Sequence, residues 1–145
     1  MVMPLSNRFQ FHHLGVAVDS LSKVLPTYET IFGYHLLSGP FDDPIQKSRV
    51  CFVGTGVKDA FVIELVEPLG QDSPVKNMVA KGIAAYHVCY EVEDIDKVVA
   101  EVTQMGCIVV SPPQPAVAFE QRRIAWFYTP TRQLIEVLEK CKSNP

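Results

Sequence analysis

Two histidines and two glutamates hold most of the chemistry that this 145-residue sequence offers. His13 and His87 each lead a strand-like run, HLGVAVDSL and HVCYEVEDI, and Glu64 and Glu136 each lie inside an apolar one, VIELVE and LIEVLE. Strand alternation puts His12, Leu14, Val16 and Val18 on one face and Phe11, His13, Gly15 and Ala17 on the other. The first is the better helix-packing face. On the second, the small residues beside His13 leave the space a pocket requires, and Ala85 and Cys89 flank His87 in the same way. A carboxylate buried among valines and leucines is costly unless it meets a partner. Imidazole and carboxylate together suit Ni, Co, Mn, Zn or Fe(II). His13, Glu64, His87 and Glu136 are therefore expected to converge on one divalent metal ion with one or two positions left open, a catalytic rather than a closed structural site. The plainer readings are a hydrogen-bonded histidine near a strand start, kept for His12 and His35, and a glutamate paired with Arg49 or Arg123. Four residues at equivalent places weigh against both.

That equivalence comes from an internal repeat. The segments 13–21 and 87–95 match at an offset of 74 residues, as do SRVCFVGTG and RRIAWFYTP, while VIELVE and LIEVLE match at 72. A one-residue slip from His13 to His12 would turn the side chain to the opposite face. After each first strand, apolar residues recur with helical period (Leu21, Val24, Leu25, Tyr28, Ile31, Phe32; Ile95, Val98, Val99, Val102) up to Gly33 and Gly106. Each half reads as βαβββ, module 1 at about 9–69 and module 2 at about 83–140 of a single domain. Loops are expected at Gly39-Pro40, Asp42-Asp43-Pro44 and Pro112-Pro113-Gln114-Pro115. Between the halves, about 70–82, a turn and a short linker helix are expected, capped by Ser73 with Pro74 in its first position. Pro26 falls inside the first helical pattern and should kink it or mark a late start.

The formal charge of −3, with 20% charged and 48% hydrophobic residues, is that of an ordinary globular chain and lacks the basic excess of a nucleic-acid binder. MVMPLSNRFQ has neither the basic start nor the apolar core of a signal peptide, and no apolar run reaches membrane-span length, so a cytoplasmic protein is expected. Cys51, Cys89, Cys107 and Cys141 form no C-x-x-C and read as reduced and structural.

HHLGVAV, VIELVEPLGQDSPV followed by HVCYEVEDID, and LIEVLE resemble the vicinal oxygen chelate superfamily, which includes glyoxalase I, extradiol dioxygenases, bleomycin-resistance proteins and methylmalonyl-CoA epimerases; the likeness is strongest to the epimerases. It covers His13 to Glu139. The resemblance implies an α+β fold whose two βαβββ modules form a U-shaped, incompletely closed mixed sheet, with the metal on His13, Glu64, His87 and Glu136. It implies an isomerase, epimerase or lyase that removes a proton beside a carbonyl with a metal-stabilised enolate, Glu136 being the base. The substrate would be a small molecule such as an acyl thioester or a glutathione adduct, and the assembly a homodimer. Such epimerases usually carry a second catalytic glutamate where this chain has Ile45; Glu120, repeat-equivalent to Gln46, is the candidate replacement. Gln46, Arg49, Arg123 and Trp126 are the candidate substrate contacts. Glyoxalase I-like chemistry and a non-catalytic drug-binding protein of the same fold are the alternatives. An extradiol dioxygenase would use only two histidines and one carboxylate.

Overall fold

The computed structural model describes residues 9–141; the opening stretch 1–8, considered above for a leader, lies outside them. Module 1 comprises β1 (Gln10–Ala17), α1 (Leu21–Thr27) running into a π-helical turn (Tyr28–Phe32), β2 (His35–Asp43), β3 (Ser48–Gly54) and β4 (Ile63–Pro68). After α2 (Pro74–Ala80) come β5 (Ala85–Val92), α3 (Ile95–Gln104), β6 (Ile108–Pro115), a 3-10 turn (Val117–Phe119), β7 (Arg123–Tyr128) and β8 (Leu134–Glu139). The fold is α+β with a mixed sheet, and βαβββ occurs twice as the repeat requires.

The chain falls into two compact units, one of residues 13–86 and one that joins the chain before His13 to the chain from His87 onward. In the first, the strand order is β2-β3-β4-β1, with β1 parallel to β4 and the other pairs antiparallel. In the second it is β6-β7-β8-β5, with β5 parallel to β8. α1 covers one face of the first sheet and α3 one face of the second. Val16, Val18, Leu21, Cys51, Val53 and Leu65 form the first core, with Leu14, Val24 and Leu25 packed against it. Val92, Ile95, Val98, Val102, Ala125, Phe127 and Val137 form the second. Burying each of the valines, leucines, isoleucine and phenylalanine among them stabilises the fold by roughly 1.5–3 kcal/mol before chain entropy is charged against it. Leu14, Val16 and Val18 thus take the helix-packing face, as their alternation demands.

Pro26 lies within α1. It has no N–H to donate to the carbonyl of Ser22, and its ring crowds that carbonyl. The helix begins at Leu21 all the same, and beyond Pro26 it widens into the π turn that Gly33 ends at φ 68°. Gly106 closes α3 at φ 92° in the same left-handed region.

Two expected loops prove to be strand. Gly39-Pro40 lies inside β2, and Pro112-Pro113-Gln114-Pro115 inside β6, each at a register shift against its one partner. Both are terminal strands of their units. A proline on an outer edge forfeits no ladder bond, and a bulge absorbs its fixed φ. Of Asp42-Asp43-Pro44, the two aspartates end β2 and only Pro44 lies in the turn 44–47, where Asp43 Oδ1 accepts from the backbone N–H groups of Ile45 and Gln46, each at 3.0 Å.

Ser73 caps α2 as expected: its Oγ accepts from the Val75 N–H at 3.3 Å, and Pro74 takes the first helical position. Ser73 is buried. Ser73→Ala should therefore cost about 1 kcal/mol, read as a lowered urea midpoint at unchanged m-value. Among the described residues no helix is long and apolar enough to cross a membrane.

Candidate metal centre

Each unit builds one buried imidazole–carboxylate pair by the same rule. In the first, Gly15 of β1 stands level with Glu64 of parallel β4, and His13 lies two residues before Gly15 on the same face. His13 Nε2 is 3.4 Å from Glu64 Oε1, and both residues are buried. In the second, Cys89 of β5 stands level with Glu136 of β8, and His87 lies two residues before Cys89. His87 Nε2 is again 3.4 Å from Glu136 Oε1, with both residues buried. Leu65 and Val137, the next residues along β4 and β8, turn to the helix-covered cores.

An aromatic ring stands edge-on to each imidazole. Phe52 faces Glu64 across β3 and β4, and its ring lies 5.3 Å from that of His13 at 75°. Trp126 faces Glu136 across β7 and β8, 4.7 Å from the His87 ring at 80°. Edge-to-face packing of this kind holds a ring plane in place. Sequence reading named Trp126 as a substrate contact; its neighbour Phe127, on the opposite face of β7, enters the core. It overlooked Phe52, although Phe52 and Trp126 hold the same place in SRVCFVGTG and RRIAWFYTP.

The repeat also copies an ion pair. Arg49 stands level with Glu67 and reaches it at 3.6 Å, and Arg123 reaches Glu139 at 3.2 Å. The arginine partners considered for Glu64 and Glu136 thus go to the glutamates three residues further along. Arg49 also meets Asp42 at 2.6 Å, and Arg123 meets Asp96 at 2.9 Å. The guanidinium bonded to Asp42 holds its carboxyl below the usual carboxylate range. A guanidinium already neutralised by two carboxylates attracts a further anion weakly, and such solvent-screened pairs add little to stability. Gln46 is half-buried in the turn 44–47 beside exposed Ile45, and Glu120 is exposed, at φ 55° just after the 3-10 turn.

The four cysteines are free. Burial first, then the charges of Glu64 and Glu67, push the Cys51 thiol up to about 11. Cys141 is exposed, while Cys51 and Cys89 are buried. With an aromatic disulfide reagent at pH 8, Cys141 should be labelled in the native protein, and Cys51 and Cys89 only after unfolding.

The donor set fits a divalent ion. A separation of 3.4 Å is longer than a good N–H···O bond. It also suits two donor atoms that each stand about 2.1 Å from one ion.

Comparison with known proteins agrees with the topology. Residues 12–126 match the family model described as "Glyoxalase/Bleomycin resistance protein/Dioxygenase superfamily". The chain is 26% identical over 121 residues to an ethylmalonyl-CoA/methylmalonyl-CoA epimerase of Cereibacter sphaeroides, covering 82% of this chain and 87% of that one. It is 31% identical over 110 residues to the mitochondrial methylmalonyl-CoA epimerase of Bos taurus, covering 74% of this chain and 61% of the bovine one. Among solved structures, a hypothetical protein of Bacillus halodurans C-125 superposes with a TM-score of 0.79 at 29% identity, covering 97% of this chain and 99% of that one. Methylmalonyl-CoA epimerase of Mycobacterium tuberculosis superposes at 0.81 with 21% identity, covering 97% and 94%. With the family model spanning most of its length and βαβββ repeated within it, the chain belongs to the glyoxalase/bleomycin resistance protein/dioxygenase superfamily.

Proposed function

We propose that His13, Glu64, His87 and Glu136 are the four protein ligands of one divalent ion, Ni, Co, Mn, Zn or Fe(II). The chain is then an isomerase of the epimerase type, acting on an acyl thioester with an acidic carbon next to the carbonyl. The observation that carries this reading is the twofold occurrence of a buried imidazole 3.4 Å from a buried carboxylate. Relatives named as methylmalonyl-CoA epimerases supply the substrate class.

When bound, the ion supplies a Lewis acid that polarises the substrate carbonyl. Everything else falls to the chain. Glu136 takes the proton from the carbon, since it is a carboxylate on the same sheet face as His87 and Trp126 and is itself buried. Inverting that carbon requires a proton donor on the opposite face. By the resemblance, the place of that second glutamate falls on Ile45, and a hydrocarbon side chain transfers no proton. Glu120 fills the role: it is an exposed carboxylate on the loop between β6 and β7.

The test is proton exchange. With the metal-loaded protein in deuterium oxide, (2R)- and (2S)-methylmalonyl-CoA should each take up one deuteron at C2 and interconvert. Glu120→Gln should keep exchange from one epimer and slow interconversion by roughly 10²-fold or more, the usual weight of one acid–base group. Exchange without any interconversion in the wild type would remove Glu120 from the mechanism. If neither epimer exchanges but the hemithioacetal of glutathione and methylglyoxal is isomerised, the substrate is a glutathione adduct instead.

A further inference from the structure

At one matched place near the paired histidines the two halves of the repeat differ in a polar group. Phe52 and Trp126 occupy the same place, each with its ring edge-on to the histidine of its own pair. A phenyl ring serves His13. The indole beside His87 adds an N–H, and Nε1 of Trp126 is buried with no hydrogen-bond partner among the described residues. Leaving such a donor without an acceptor costs about 1–3 kcal/mol, so buried indole N–H groups as a rule find one. Trp126 stands directly opposite Glu136 and therefore on its side of the sheet.

The geometry points to the Trp126 indole N–H as the donor that orients the substrate, received by a carbonyl or carboxylate oxygen of the molecule on which Glu136 acts. The inference rests on the proposed site and adds a specificity determinant: ligands must present an oxygen acceptor beside His87 and Glu136. The first half makes no such demand, because Phe52 has nothing to donate. Trp126 is a positioning residue, and its ring contact with His87 is the part that Phe52 duplicates.

Trp126 is also the only tryptophan in the chain, so selective ¹⁵N labelling gives a single indole resonance. In the zinc-loaded protein that resonance should move downfield on titration with methylmalonyl-CoA and, separately, with oxalate, a small two-oxygen probe that needs no turnover. Trp126→Phe, a replacement the repeat itself tolerates at Phe52, should bind zinc as the wild type does and bind each probe about tenfold more weakly, the effect of removing one hydrogen bond to a charged acceptor. An indole resonance that stays in place at saturation overturns the inference. So does a Trp126→Phe variant with unchanged probe affinity, and so does failure of both probes to bind. A Trp126→Phe variant that loses zinc affinity would make the indole a packing support only. If methylmalonyl-CoA is not turned over yet oxalate still shifts the resonance, the substrate assignment fails and the donor assignment stands.

Discussion

Glu136→Gln is expected to abolish C2 proton exchange on methylmalonyl-CoA, by roughly 10³-fold or more, while leaving the fold intact. Glutamine fills the same space, so the strand pairs of Glu136 with Cys89 and Trp126 lose no volume. On the proposed mechanism, what is lost is the group that accepts the proton and an anionic ligand. General acid–base catalysis alone is worth roughly 10²–10⁴-fold, and a weakened ion adds to the loss. The two parts separate when the assay is run across a metal titration: excess ion restores what came from weaker coordination, and the rest is the missing base. Glu64→Gln provides the contrast. Glu64 has the same kind of partner, His13 at 3.4 Å, but no assigned proton-transfer role, so excess ion should return most of its activity. A Glu136→Gln variant that also recovers fully would move the base elsewhere.

Leu65→Ala should produce the largest loss of stability, about 3 kcal/mol within the 2–5 expected for a buried leucine. Leu65 is fully buried in the first core, next to Glu64 in sequence but on the other sheet face. The cavity would open under α1 and leave the face bearing His13 and Phe52 unchanged. Urea unfolding should record the loss, and calorimetry should find metal affinity within about threefold of wild type, since the Leu65 and Glu64 side chains project to opposite sheet faces. A metal affinity that falls in step with stability would show instead that core and site are one cooperative structure.

Much of the candidate site's placement was legible because it is written twice. His13 and His87 lead matching runs, Glu64 and Glu136 sit in matching apolar runs, and strand alternation then puts each pair on one face. The same logic extends to Phe52 with Trp126 and to Arg49–Glu67 with Arg123–Glu139, which can be read at the same offsets once the repeat is taken residue by residue. What resisted reading was the behaviour of proline. Pro40 and Pro112 signal loops wherever the backbone N–H is needed, yet in β2 and β6 they fall on terminal strands where it is not. Whether a strand is terminal depends on pairing across the sheet, and that is not a local property. Pro26 marks no late start: α1 begins at Leu21, anchored in the core and by the Glu67 carboxylate, which accepts from the Leu21 N–H at 2.8 Å, and a π turn follows from Tyr28.

The most direct measurement is metal stoichiometry and affinity, by elemental analysis and calorimetry with Ni, Co, Mn, Zn and Fe(II), on the wild type beside Glu64→Gln and His87→Ala. One ion per chain is expected. Because the two substitutions lie in different halves of the repeat, each should weaken binding by at least tenfold if all four residues hold the same ion. Two ions per chain, binding insensitive to either substitution, or no binding above background would contradict a shared centre.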